Sequence, residues 1–314
     1  MANATESSWA DLLAMTGQFP GSGHQRACLL AAYGQKQMAI DIADWSAYLQ
    51  HCRMALSRIK KVVRRSPFEG AAVRMMAIRR PELRQQYEWG IRIRRDTDAM
   101  RRIIYRELRG SDTAIDVGAN MGELTEWFFD TAPGGRHHVI EPLPSLAASL
   151  QRRFPEAIVH QCALSDTDGS ADFFHVVDDP AWSGFRRQDV VADNQTVTID
   201  VDVRRLDGLV GDTTVKLIKI DVEGAELGVL RGAKGLLNRD RPMILFEHAP
   251  IHADAFGTRS DEVWTLLDDA GYLLAPVADE SRLLSRDDFR ALNEESHRTG
   301  YDRHALTNWI ARQR

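Results

Sequence analysis

Between residues 113 and 277, short apolar runs alternate with helical stretches, and nothing else in the chain restricts the fold as much. Residues 113–117, 137–140, 158–163, 215–220, 243–246 and 272–277 read as strands. Residues 123–129, 145–154, 225–237 and 261–270 carry apolar side chains at helical spacing. Strands that alternate with helices are joined by crossovers, which predicts a mostly parallel sheet covered by helices on both faces. A β-rich insert, 171–177 and 196–203 with a loop between, interrupts the alternation, and a final strand is predicted over 305–311.

The 314 residues exceed what such a sheet needs, and charge divides them. Residues 1–110 hold 19 Lys and Arg against 10 Asp and Glu, whereas the remainder holds 21 against 35. Residues 1–110 are predicted to be a helical, basic N-terminal extension ending in a helix over 81–108, and 111–314 the α/β domain. No apolar run is long enough to span a bilayer. The first ten residues lack the basic and apolar segments of a signal peptide. Cys28, Cys52 and Cys162 are few, odd in number and without ligand spacing, which suits a reducing, cytoplasmic compartment.

The run Asp116-Val117-Gly118-Ala119-Asn120-Met121-Gly122 leaves the first strand and opens a helix. Gly118 and Gly122 allow a tight turn and close approach of backbone to a ligand. Glu141 ends the next strand, 23 positions after Gly118, where a carboxylate can accept both hydroxyls of a ribose. A dinucleotide site has a third glycine and a helix N-terminus free for a pyrophosphate. Here Asp116 and Glu123 flank the loop. Carboxylates repel a pyrophosphate and suit a ligand with an ammonium and a sulfonium. The pattern therefore points to S-adenosylmethionine rather than NAD.

Several blocks, in order, resemble the FkbM-type methyltransferases. They are Ile115 to Gly122, Ile140-Glu141-Pro142-Leu143-Pro144, Ala163-Leu164-Ser165-Asp166, Leu206-Asp207, Ile218-Lys219-Ile220-Asp221-Val222-Glu223-Gly224-Ala225-Glu226, Leu230-Arg231-Gly232-Ala233, Ile244-Leu245-Phe246-Glu247 and Asn308-Trp309-Ile310-Ala311. They cover about two-thirds of the chain, and residues 1 to about 85 fall outside. The resemblance implies a Rossmann-like class I methyltransferase sheet with a reversed last strand. It also implies S-adenosylmethionine as donor and a hydroxyl of a sugar, polyketide or glycolipid as acceptor. Asp116, Gly118, Asn120, Gly122, Glu141, Ala163 and Asp221 are the expected donor-binding residues.

An alcohol acceptor must lose its proton during transfer. Asp221 ends a strand beside the cleft and could hold the donor's amino group, position the acceptor or bind a cation. Asp221 and Glu247 are candidate ligands for magnesium, Mg2+, which would lower the acceptor's pKa. His248 comes after Glu247 and is the first candidate for general base, with His175 the second. Lys219 shares a strand face with Asp221 and reads as an ion-pair partner there, because a lone buried ammonium is costly. The loop 178–194, with Trp182, Phe185, Arg186 and Arg187, is a candidate lid over the acceptor. His137 and His138 read as structural.

The stretch 53–65 carries Arg53, Arg58, Lys60, Lys61, Arg64 and Arg65 among apolar residues. It reads as a solvated helix face, with peripheral contact to an anionic membrane or to a second copy of the chain, a homo-oligomer, as alternative uses. It has no interleaved aromatics, so nucleic acid is not an expected partner. The expected function is S-adenosylmethionine-dependent O-methylation of a small-molecule or glycan acceptor. The alternatives are a methyltransferase-like binding module without turnover and an NAD-dependent enzyme.

Overall fold

The computed structural model describes residues 81–187, 194–299 and 306–314. The chain divides into two compact units, Met1–Val73 and Arg74–Arg314, and every described residue lies in the second. The basic stretch 53–65, Cys28 and Cys52 lie outside the described residues, as does the centre of the loop 178–194. The division expected at residue 110 falls just after helix α1 (Pro81–Glu107), within the second unit.

Strands β1 (Ala114–Val117), β2 (His138–Ile140), β3 (Ile158–His160), β7 (Leu217–Ile220) and β8 (Met243–Glu247) are parallel, with β9 (Tyr272–Pro276) and β10 (Asn308–Gln313) beside them. The order is β3-β2-β1-β7-β8-β10-β9, and β10 runs antiparallel to both neighbours. This is the expected mostly parallel sheet with a reversed last strand. Strands β4 (Ala163–Leu164), β5 (Gly169–Val176) and β6 (Thr196–Arg204) form a separate sheet in the order β4-β6-β5. The predicted strand 158–163 is thus two strands in two sheets.

Because the central strands are buried on both faces, they are apolar without alternation. On one face Ala114, Leu217 and Leu245 pack with Ile103, Ile104 and Leu108 of α1 and Trp127 and Phe128 of α2 (Glu123–Thr131). Helix α3 (Pro144–Arg153) covers Val139 on that face through Leu150. On the other face Ile115, Ile218, Ile220 and Phe246 meet α4 (Leu206–Val210), α5 (Glu226–Arg231), α6 (Lys234–Asp240), α8 (Ser260–Asp269) and α9 (Arg286–Thr299). A short helix, α7 (Pro250–Ala253), comes directly after β8.

The predicted helix 225–237 breaks into α5 and α6 at Gly232. A Cβ there would stand 2.1 Å from the carbonyl oxygen of Ser165, so the chain turns where only glycine fits. Buried His137 is structural, as expected: Nδ1 accepts from the Ala114 N–H at 3.1 Å and Nε2 donates to the Ala132 carbonyl at 2.8 Å. Trp309 of β10 is fully buried edge-on to Phe289 and donates through Nε1 to the His248 carbonyl at 3.1 Å. Trp309→Ala should cost about 3–5 kcal/mol, the range for emptying a large aromatic site in a core. Denaturant titration checks this, and a loss below about 1 kcal/mol would show that the site collapses around the smaller side chain.

Candidate functional site

The parallel strands end together, and the loops that leave their ends build a cleft. After β1 the chain turns at Gly118, with φ 76°, where a Cβ would lie 1.8 Å from the Asp221 carbonyl oxygen. Asn120 also has positive φ, 48°. After β2, Glu141 accepts the N–H of Asn120 and the N–H of Leu143, each at 2.9 Å. The carboxylate is therefore oriented by backbone rather than by mobile side chains. Burial pushes its pKa up to about 7, against those two hydrogen bonds.

These groups line a cavity of about 120 Å³, together with Cys162, Ala163, Leu164, Asp221, Val222 and Glu223. Gly118, Asn120, Glu141, Ala163 and Asp221 of the expected donor set thus come together. Asp116 and Gly122 do not line the cavity. Asp116 is buried and accepts the Thr125 hydroxyl at 2.6 Å, and Gly122 packs where a Cβ would meet Leu150 and Phe154. Both shape the loop from behind. The cavity is small beside the several hundred Å³ of most ligand sites. Pro180, Ala181, Ser183 and Phe185 narrow it, with Phe185 edge-on to Phe173. The described part of the loop 178–194 therefore contributes to the wall of the cleft.

Behind the cavity a charged cluster sits on the face shared with α1. Lys219, opposite Asp116 in register, is nearly inaccessible and donates to Asp221 Oδ2 at 3.0 Å. Burial alone would lower the Lys219 pKa, but the carboxylates of Asp221 and Asp116 raise it above its ordinary value. Burial would raise Asp221, yet the Lys219 charge and a hydrogen bond with Glu247 hold it low. Burial and the Asp221 charge push Glu247 up to about 8. Burial likewise raises Glu226 to about 7, although its Oε1 accepts the N–H groups of Gly224 at 2.9 Å and Val222 at 3.3 Å.

This arrangement does not suit the magnesium ligands suggested for Asp221 and Glu247. Among the described residues no group of three or more His, Cys, Asp or Glu side chains is placed to hold a metal ion. The positive charge at Asp221 comes from Lys219, and Glu247 hydrogen-bonds Asp221 as a neutral acid.

His248 lies on the wrong face. Successive strand side chains point oppositely, so as Glu247 joins Lys219 and Asp221, His248 turns toward α8 and α9. It is buried there, bonded through Nε2 to the Ser260 hydroxyl at 3.0 Å and stacked near Phe289. Burial depresses its pKa to about 4. His175 is half-buried on β5 and does not line the cavity. The imidazole that does approach the cleft is His252 of α7, which sequence reasoning misses. Its Nδ1 stands 3.4 Å from Glu223 Oε2, and its ring packs against Trp182. A polar pair brought together by a turn and a short helix leaves no periodic signal.

The buried carboxyls make stability depend on pH. Glu141, Glu226 and Glu247 have an ordinary pKa of 4.5 and are raised in the fold. Above about pH 7.5 unfolded carboxyls are ionised and histidines, with an ordinary pKa of about 6.5, are largely neutral in both states. The folded protein then binds more protons than the unfolded chain, so stability falls as pH rises through about 7.5 to 8.5. Glu226→Gln keeps an oxygen for the two N–H groups and removes one titrating carboxyl. Its loss of stability between about pH 6.5 and 8.5 should be smaller than that of the unaltered protein. Equal losses in denaturant midpoint would show that Glu226 does not titrate in this range.

Comparison with known proteins gives the arrangement a lineage. The Methyltransferase FkbM domain model matches residues 116–274, about half of the chain. Methyltransferase 1 of Beauveria bassiana is 30% identical over 143 residues, 38% of this chain and 57% of that protein, so the match spans little more than half of the fungal relative. The 31-O-demethyl-FK506 methyltransferase FkbM of Streptomyces tacrolimicus is 29% identical over 206 residues, 55% of this chain and 77% of that one. The 2-O-methyltransferase NoeI of Sinorhizobium fredii is 28% identical over 169 residues, 48% and 70% of the two chains. The matched segment runs from Asp116 through the cleft to Leu274 of β9, and the chain belongs to the FkbM methyltransferase family.

Proposed function

We propose that this chain transfers a methyl group from S-adenosylmethionine to a hydroxyl of a small molecule or glycan. The observation that carries the reading is the composition of the cavity wall. Among the described residues it holds three acidic side chains, Glu141, Asp221 and Glu223, and no Lys or Arg. A pyrophosphate would find no cationic side chain among these residues and would be repelled by the ionised Asp221, whereas a ligand bearing an ammonium and a sulfonium is attracted. Transfer to oxygen is supported by the names of two relatives, a 31-O-demethyl-FK506 methyltransferase and a 2-O-methyltransferase.

Under this reading Glu141 accepts the ribose hydroxyls. Cys162, Ala163 and Leu164 give an apolar edge for the base, and Gly118 gives the backbone clearance the donor needs. Asp221 is held ionised by Lys219 and takes the donor's ammonium. The donor supplies an electrophilic methyl group on a sulfonium. The chain's contribution is to align the acceptor oxygen with that methyl carbon and to exclude water, effects worth several kcal/mol together. Phe173, Phe185 and the segment over the cavity provide the exclusion, and seating a nucleoside moves that segment outward.

Calorimetric titration tests the reading directly. S-adenosylmethionine should bind and NAD should not. Glu141→Ala should weaken the methyl donor by roughly 1–3 kcal/mol, the worth of charge-assisted hydrogen bonds. Radiolabelled donor offered with a panel of methyl glycosides then tests transfer to oxygen. Tight NAD binding, or an unchanged donor dissociation constant in Glu141→Ala, would refute the assignment of this cavity.

A further inference from the structure

We propose that Glu223, seated against His252, takes the acceptor's hydroxyl proton, and that a bound cationic methyl donor readies it for that role; this rests on the methyl-transfer reading. Glu223 lies just past the β7 end with φ 54°, a left-handed backbone that a glutamate adopts only when its surroundings impose it. Those surroundings are visible. Gly224 is pressed so close to His252 that a Cβ would lie 2.5 Å from its carbonyl oxygen, and Glu226 clamps the N–H groups on either side of Glu223. The turn places Glu223 among the residues that line the cavity, with Gly118, Asn120 and Asp221. It also sets Oε2 3.4 Å from His252 Nδ1. Gly184 lies over the Glu223 Cβ, at 3.7 Å from a notional Cβ of its own, and Trp182 covers the imidazole.

The charges explain why the donor matters. Glu223 is faced by Lys219 and Asp221 from β7, by Glu226 from α5, by Glu247 from β8 and by His252 from α7, with Arg92 of α1 acting on His252. Burial and the negative charge of Asp221 hold the carboxyl neutral well above its ordinary range. A neutral acid cannot accept a proton. A positive sulfonium in the cavity offsets the surrounding negative charge and favours the carboxylate. The acceptor oxygen then bonds to the methyl carbon as the carbon–sulfur bond breaks and its electron pair stays on sulfur. The hydroxyl proton goes to Glu223. The cleft loses the sulfonium charge and the carboxylate charge together, so its net charge is unchanged across the step. His252 is a positioning residue. With Nδ1 protonated it donates to the Glu223 carboxylate and favours the ionised form.

Proton release on binding tests this without an acceptor. The full chain is titrated calorimetrically with S-adenosylmethionine and with S-adenosylhomocysteine, near neutral pH, in two buffers of different ionisation enthalpy. The unaltered protein should release more protons with the cationic ligand than with the neutral one. Glu223→Gln should lose that difference while keeping donor affinity within about tenfold. Glu223→Asn, which left-handed backbone tolerates, is the second variant should the first fold poorly. His252→Ala should raise the pH midpoint of the release, by about one unit. A difference that persists in both Glu223 variants, or that vanishes instead in Glu226→Gln or Glu247→Gln, overturns the assignment. An unmoved midpoint overturns the part given to His252. Binding of both ligands with equal proton release refutes the role of Glu223 alone, whereas a folded protein that binds neither refutes the methyl-donor reading itself.

Discussion

The buried ammonium of Lys219 is the constraint on which the cleft depends. A lone cation inside a parallel sheet would be prohibitive, and the fold surrounds this one with carboxyls. Asp116 lies in register on β1, Asp221 is two residues on, and Glu247 extends from the neighbouring β8. The consequences spread from there. Asp221 is ionised because Lys219 is beside it, and Glu247 and Glu223 are neutral because they are buried next to an ionised Asp221. One cation therefore helps to set which of the neighbouring carboxyls carry charge.

The Asp221 to Glu226 block has an architectural role as well. Val222, Glu223 and Gly224 turn sharply out of β7, and Glu226 folds back to hold the N–H groups of Val222 and Gly224. The same turn brings the Asp221 carbonyl against Gly118. Two loops from adjacent strands are thereby pressed together at a point where any side chain on Gly118 would force them apart. Two walls of the cleft are positioned by the same few residues.

Much of this was legible in the sequence, for identifiable reasons. Strands buried on both faces must be apolar runs, and β1, β2, β7, β8 and β9 are. The place of Glu141 at the cleft was legible because it follows from strand geometry. The parts that escaped depend on tertiary contact. The break at Gly232 is set by the Ser165 carbonyl, and the end of β3 is set by the second sheet that claims Ala163 and Leu164. Helix α9 escaped because half of Arg286–Thr299 is charged and its apolar residues are few, with Phe289 and Asn293 buried and Leu292 partly so.

The exchange of His248 for His252 shows what kind of information a linear reading lacks. Both histidines come within five residues of the end of the same strand, and residue type alone ranks them equally. Register separates them. Phe246 packs on the α8 and α9 side, so His248, two positions on, must point there as well, into a pocket with Ser260 and Phe289 where its proton has nowhere useful to go. Ala249 then leaves the strand, Pro250 starts α7, and the next half-turn returns His252 to the cleft face beside Glu223. The sequence held the strand parity that excludes His248, since Glu247 and Lys219 had to share a face. It did not hold the turn that returns His252, because that turn is fixed by Gly224 packing against the His252 carbonyl, a contact between segments far apart in the chain.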